Sequence, residues 1–375
     1  MIGSFLSSMT EVTRDTWNAI SGPQPFLRHE FFMALEESGS VGPRTGWQTE
    51  TFIMKDAGQL KAAVPLYRKF HSYGEYVFDW AWAHSYREAG LCYYPKIVAA
   101  VPFTPVAGRR LLTADPLTPE MTHQVGEALR SHARSTGASS LHWLFSPEPE
   151  CALLSAEGFL RRTSFQFHWA NAGWSNFQDF LMALSAPKRK NIKRERRQVA
   201  EAGISYTTHE GAALTESLWD TFYELYLATI QKYEAIPYLT RRFFSLIGQN
   251  VPGVILVMAE LSARPVAAAL FFRDEDTLYG RYWGASIAVP GLHFETCYYQ
   301  AIEYCFSHGL SRFEAGAQGE HKLSRGFLPT PTYSLHWLRH PQFNRAVEEF
   351  LVRENQGLEL AMNELTDHTP FHKPS

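Results

Sequence analysis

Residues 158–169, GFLRRTSFQFHW, and residues 326–337, GFLPTPTYSLHW, share a Gly-Phe-Leu start and a His-Trp end at one constant offset. An aromatic, Phe165 or Tyr333, sits at the same interior position of both. A chain with such a pair is constrained to build one module twice, and the flanking patterns agree. Ahead of the first copy, residues 119–135 have helical periodicity up to a glycine stop at Gly137. Residues 140–145 follow as a strand, 149–157 as a helix ending at Gly158, and 162–169 as the closing strand. Ahead of the second copy, the order is a helix over 292–308 stopped by Gly309, a strand over 311–315, a short helix over 318–325 and a closing strand over 332–338.

Upstream of each module the pattern turns to strands. Those of the first half are expected over 49–54, 61–67 and 76–83, after helices over 10–20 and 28–38 and a Gly/Pro-rich break over 39–46. Those of the second half are expected over 254–261, 266–273 and 277–283, after helices over 219–231 and 240–249. Residues 92–100 read as a short helix despite Pro95. Residues 101–112 read as a strand running into a loop with Gly108, Arg109 and Arg110, and residues 345–365 as a last helix. The fold class is therefore mixed α+β, with two like domains over 1–185 and 204–375. At 375 residues the length suits two domains.

Between them, residues 186–203 form the most charged window. In PKRKNIKRERRQVAEAG the basic side chains Lys188, Arg189, Lys190, Lys193, Arg194, Arg196 and Arg197 leave only Ile192 and Val199 as a thin apolar stripe. This is a basic connector helix, either solvated or in contact with a polyanion such as a tRNA backbone. Net charge is only −3, so the chain has no global field for nucleic acid or acidic membranes. The four cysteines make no C-x-x-C pair, as expected of free thiols in a reducing, cytoplasmic setting. No run approaches the length of a membrane span.

EALRSHARSTGASSLHWL with LLSAEGFLRRTSFQFHW, and YCFSHGLSRFEAGA with SRGFLPTPTYSLHW, resemble the second half of the GNAT acyltransferase fold. Two such units joined by a basic helix resemble the Fem-type peptidyltransferases. LHFETCYYQAIEY followed by GAQGEHKLSRGFLPTPTYSLHW is more specifically similar to the FemAB-like predicted N-acyltransferases. The resemblance implies two tandem GNAT-like domains and formation of an amide between an activated acyl or aminoacyl donor and an amine acceptor. The acceptor it implies is of the peptidoglycan-precursor or another cell-envelope kind, and the donor is either aminoacyl-tRNA or acyl-CoA. The sequence departs from the CoA users in lacking the Q/R-x-x-G-x-G/A pyrophosphate loop, since only Ala288-Val289-Pro290-Gly291 precedes the second long helix. An acyl-CoA-dependent N-acetyltransferase and a non-catalytic binding module are the alternatives.

Direct acyl transfer requires a base for the amine, a donor for the developing oxyanion and a proton for the leaving group. The catalytic candidates are Glu320 and His321, with Glu295 near the start of the long helix orienting His293 or the amine. Lys322 and Arg325 are candidates for holding a substrate carboxylate or phosphate, with Gln318 and Tyr299 beside them. Arg109 and Arg110 are a second candidate anion contact, or else a surface turn. Tyr298, Tyr299 and Trp283 read as core ahead of ligand platform. There is no H-E-x-x-H or G-x-S-x-G, and no metal site is expected.

Overall fold

The computed structural model describes residues 1–316 and 319–372, and for Glu320, Glu359, Asn363, Thr366 and Asp367 the backbone alone. Packing groups the chain into two compact units, each drawn from two stretches: Met1–Phe165 with Pro331–Met362, and Gln166–Thr330 with Asn363–Ser375. The repeats are thus contiguous in sequence but the units are not, because each closing strand runs out of one unit and ends in the other. The strand Leu160–Ala170 passes into the second unit, where His168–Ala170 pair antiparallel with Arg312–Glu314. The strand Leu328–Leu338 passes into the first, where Tyr333–Leu338 pair with Ser140–Ser146.

In the first unit, strands Trp47–Thr49, Leu66–Lys69, Lys96–Ala99 and Ser140–Ser146 lie side by side in that order, the last pair parallel. Ile2–Leu6, Thr51–Asp56, Gln59–Val64 and Leu112–Thr113 make a separate antiparallel sheet. The helix Pro119–Ser135 starts at Thr118, whose hydroxyl accepts the Met121 amide at 3.2 Å. It lays Val125, Leu129 and Ala133 into a core with Trp143, Phe159 and Leu335. In the second unit, Ile204–Glu210, Val254–Leu261, Arg264–Arg273 and Thr277–Ala285 form an antiparallel meander, to which Arg312–Glu314 adds in parallel. Helix Glu216–Lys232 packs on it, and helix Arg241–Asn250 packs on that helix. No helix among the described residues is long and apolar enough to cross a membrane.

Three local expectations are corrected. The strand expected over 76–83 is replaced by the helix Trp80–Glu88, whose Trp82 and Tyr86, four apart, share a buried face. The helix expected over 92–100 is a strand, Lys96–Ala99, because Pro95 blocks a helix and β-branched Ile97 and Val98 favour a fully buried strand. Residues 101–111 form no strand, since Pro102 and Pro105 each remove a ladder donor. The basic helix, Ala186–Glu201, belongs to the second unit, and its buried stripe is not purely apolar. Besides Ile192 and Val199 it buries the carboxylate of Glu195.

Candidate active site

The parallel pairing of Thr277–Ala285 with Arg312–Glu314 lasts three residues: Thr277 opposite Arg312, Leu278 opposite Phe313, Tyr279 opposite Glu314. At that point the longer strand bulges. Phe271 on its other neighbour faces Gly280, while Leu270 faces Tyr282, so the register skips Arg281. Such a bulge re-aims side chains and bends the strand, and here it coincides with the parting of two strands. A cavity of about 140 Å³ occupies the gap, walled by Gly280–Trp283 on one side and Ala315 and Gly316 on the other, with His293, Cys297 and Tyr298 closing it. A larger cavity of about 500 Å³ adjoins it, lined by Thr229, Lys232 and Tyr233 and by the apolar turn Ile287–Pro290. Trp283 and His293 belong to both.

Local structure in the helix after Gly291 sets these side chains. The backbone is α over Leu292–Phe294, π over Glu295–Tyr299 and α again over Gln300–His308. A one-turn π insertion shifts the faces on either side of it, and such turns are frequent at functional sites. Gly291 (φ +86°) is required at the entry, because a Cβ there would lie 3.0 Å from the Glu195 carbonyl oxygen. His293 stands with its ring 4.8 Å from that of Trp283 and 6.2 Å from that of His321. Burial, reinforced by His321, Lys322 and Arg325, pulls its pKa down to about 4, so it is neutral at pH 7. Tyr298, a cavity wall, has its hydroxyl 3.0 Å from His321 Nε2. Burial pushes the Tyr298 phenol well up, leaving it a neutral hydroxyl. Burial and then the charges of Arg325 and Lys322 lower His321, which still reaches solvent.

The other candidates fall into a buried scaffold behind this face. Glu195 is its hub: Arg325 Nη2 donates to Glu195 Oε1 at 2.6 Å and Arg325 Nε to Oε2 at 3.2 Å, the Tyr299 hydroxyl donates to Oε2, and Asn191 Nδ2 donates to Oε1 at 2.8 Å. Arg325 also donates to the His321 carbonyl at 2.7 Å and lies 3.4 Å from the Phe294 ring centroid. Three of its five N–H donors are thus engaged, two with Glu195 and one with the turn that carries His321. Among the described residues, Glu295 finds its hydrogen-bond partners away from His293. It takes Arg196 in a two-bond pair at 3.1 Å, plus Gln300 Nε2 at 2.8 Å, while Arg196 Nη1 donates to Glu303 at 2.7 Å. Lys322 is buried and donates to the Gly316 carbonyl at 2.7 Å, and burial draws its pKa down to about 8. Gln318 and the Glu320 side chain lie outside the described residues; the Glu320 backbone begins the 3-10 turn Glu320–Arg325.

Arg109 and Arg110 belong to the first unit. Arg109 donates to the carbonyls of Thr113 and Ile20 (both 3.1 Å), and Arg110, buried, to those of Gly108 and Val106 (both 2.8 Å). They staple a loop, and their surroundings offer no support for an anion contact. Sequence reasoning missed Glu195 because it sits among seven basic residues, where its one signal was position: three after Ile192 and four before Val199, on the buried stripe. It also gave no role to Glu314, whose carboxyl is pushed up to about 8 by burial and whose Oε2 has no hydrogen-bond partner among the described residues.

Several solved structures share this architecture. The C-terminal domain of a putative lysylphosphatidylglycerol synthetase from Agrobacterium fabrum superposes with a TM-score of 0.58 at 10% identity, covering 91% of this chain and 96% of that one. FemX gives 0.56 at 10% identity, over 93% and 100%. L-PGS from Bacillus licheniformis gives 0.52 at 10%, over 88% and 97%. At such identities the likeness establishes the fold, two tandem GNAT-like units, and no more. No curated protein matches the chain by sequence. A family model does match it from residue 8 to residue 373, nearly end to end, and the chain belongs to the FemAB-like family, described as peptidoglycan biosynthesis/recognition.

Proposed function

We propose that the chain is an N-acyltransferase that forms an amide between an activated acyl or aminoacyl donor and an amine of a cell-envelope precursor. The family description and the fold shared with FemX support the substrate class. The observation that carries the chemistry is the gap between Thr277–Ala285 and Arg312–Glu314, with Tyr298 on its wall and His321 behind Tyr298.

The amine nitrogen attacks the donor carbonyl within the gap, forming the C–N bond and a tetrahedral oxyanion. As the amine loses its proton, the Tyr298 oxygen takes it while the Tyr298 O–H proton passes to His321 Nε2. A phenol that resists ionisation relays a proton without storing charge, and a neutral imidazole is the acceptor. Collapse of the intermediate breaks the carbonyl bond to the carrier, which leaves with a proton returned by the same path. His293, neutral and at the junction of the two cavities, lies within the site to hydrogen-bond the carbonyl or the carrier. Glu320 precedes His321 on the same turn and is a further candidate base. With an aminoacyl-tRNA donor, the exposed Lys190, Lys193, Arg194 and Arg197 supply contacts for its phosphates.

The test is to incubate the purified protein with a UDP-linked muropeptide and either an aminoacyl-tRNA or an acyl-CoA, and to weigh the product. An amide adduct is expected, and Tyr298→Phe should cut kcat by roughly 100-fold while donor binding persists. Absence of an amide from both donor classes would refute the transferase reading, and unchanged turnover in Tyr298→Phe would remove the relay.

A further inference from the structure

Residues 70–80 of the first unit, FHSYGEYVFDW, join the strand Leu66–Lys69 to the helix Trp80–Glu88, and their side chains divide against the usual sense. Both carboxylates point inward, and the rings are left outside. Lys96 Nζ, fully buried, donates to Glu75 Oε2 and to Ser72 Oγ (both 2.8 Å) and to Asp79 Oδ2. Lys69, equally buried, lies 3.9 Å from Glu75 Oε1, donates to the Tyr73 carbonyl at 3.0 Å and sits 3.6 Å from the centroid of the Trp47 ring. His71 closes the turn: its Nδ1 accepts the Tyr73 amide at 3.2 Å, which leaves Nε2 to donate to the Thr45 carbonyl at 2.8 Å. Phe70, Tyr73, Phe78 and Trp80, by contrast, are between 42% and 59% exposed.

Stability of the free chain does not call for this arrangement. Burying ion pairs costs desolvation that their attraction rarely exceeds, and four exposed rings forgo the burial that would stabilise them. Exposed apolar clusters mark contact surfaces, and the chemistry of this one indicates what it contacts. Tyr73 and Trp80, with rings 5.2 Å apart, each carry a polar tip on an apolar body, the kind of side chain that settles at the headgroup level of a bilayer. Phe70 and Phe78 have no polar side-chain atom to keep in water. Across residues 70–87 no acidic side chain is exposed, since the two in that range are the buried Glu75 and Asp79. The next acid along the chain, Glu88, lies 3.1 Å from His84. The exposed arginines flanking the rings are Arg87, in the helix that Trp80 begins, and Arg44, beside Thr45. Rings without exposed acids, edged by arginines, complement an anionic lipid surface. A second copy of the chain is a poorer occupant, because a stable interface takes roughly 20–30 residues a side.

We infer that residues 70–80 are a membrane-docking loop: the four rings enter the interfacial zone of an anionic phospholipid bilayer, while Lys96 and Lys69 hold the loop's carboxylates away from it. The loop lies on the membrane and does not span it. This contact does not depend on the chemistry proposed for the second unit.

The experiment floats the purified protein with phosphatidylcholine vesicles, with and without phosphatidylglycerol. Binding to both is expected, tighter to the anionic vesicles by roughly tenfold through the two arginines. Phe78→Ser combined with Trp80→Ser should weaken binding to either vesicle at least about tenfold. Arg44→Ala and Arg87→Ala should each cost about fivefold on anionic vesicles and nothing on neutral ones. Should the double variant melt early, Trp80→Phe decides the matter, since it keeps the ring. Brominated acyl chains should quench part of the bound wild type's tryptophan emission, and Trp80→Phe should lose that part while binding persists. Failure to bind either vesicle overturns the inference, as does binding that the folded double variant leaves intact or quenching that Trp80→Phe leaves unchanged. A concentration-dependent dimer in lipid-free solution that the double variant abolishes would assign the surface to a second copy and overturn it equally.

Discussion

The two units carry the same three-residue parallel pairing and use its end in opposite ways. In the first, Ile97, Val98 and Ala99 pair with Leu141, His142 and Trp143. In the second, Leu278 and Tyr279 pair with Phe313 and Glu314. The repeated His-Trp dipeptide takes the same register in both: His336 opposite His142, and His168 opposite Glu314. Beyond the pairing, the first unit's strand stops at Ala99 and residues 101–106 fold in as a buried stretch. The second unit's strand continues through the Arg281 bulge to Ala285 and leaves the gap open. The loop that follows this stretch is fastened by Glu150, which accepts from the amides of Arg110 and Leu111, from Trp143 Nε1 at 2.6 Å and from Ser146 Oγ at 2.8 Å. A repeated frame thus fixes where a cavity can arise, and the chain between its strands decides whether one does. That is why the site residues cluster in one copy.

The largest effect expected from breaking this comparison lies at the second unit's buried hub. Glu195→Ala leaves Arg325 buried with no carboxylate opposite it and removes the acceptor of Tyr299 and Asn191. Removing one partner of a buried ion pair typically costs about 3–5 kcal/mol. Urea denaturation should show a loss of that order, and transfer should fail because the turn holding His321 is tied down through Arg325. A loss under about 1 kcal/mol would mean that the network does not support the site.

A smaller effect separates the units by pH. His142, pulled down to about 3 by burial and then by Lys96, stays neutral in the fold where the unfolded chain binds a proton below about 6.5. Stability from this group is therefore lost as pH falls from about 6.5 toward 3. Glu314 behaves in the opposite sense. Its pKa is raised, so the unfolded chain releases the proton above about 4.5 while the fold keeps it to about 8, and stability is lost as pH rises across that window. His142→Gln should flatten the acid limb of a stability–pH curve and Glu314→Gln the neutral limb, each by on the order of 1–3 kcal/mol. Equal slopes in both variants and the wild type would show that the two register-equivalent positions do not differ as described.

How much of this was legible in the sequence follows from which forces fix each feature. The repeat, the glycine-stopped helices and the closing strands are local patterns, and helices such as Pro119–Ser135 and Glu216–Lys232 fall close to their expected ranges. The exchange of closing strands is not legible, because Leu160–Ala170 has the same alternation whichever sheet receives its end. Residues 76–83 misled because Trp80 and Trp82 alternate like a strand, while the contact that decides the matter, Trp82 with Tyr86 on one helical face, lies partly beyond them. At the candidate site, type and position singled out His293 and His321, whose rings lie 6.2 Å apart. Tyr298 and Trp283 look like core from sequence alone, and only the π turn and the bulge give them a cavity to face.

The smallest effect tests a first-unit arginine that the sequence also offered as an anion contact. Arg109 is half-buried and donates to the backbone carbonyls of Thr113 and Ile20. Arg109→Ala should cost about 1 kcal/mol, the usual net worth of a hydrogen bond, since the guanidinium itself is half-exposed. Transfer kinetics should stay at the wild-type value for every donor and at every salt concentration, whereas an arginine that binds phosphate would raise KM and reduce its salt dependence. A KM increase with unchanged stability would move Arg109 from the loop to the substrate. It would also mean that the first unit, despite its filled gap, takes part in binding.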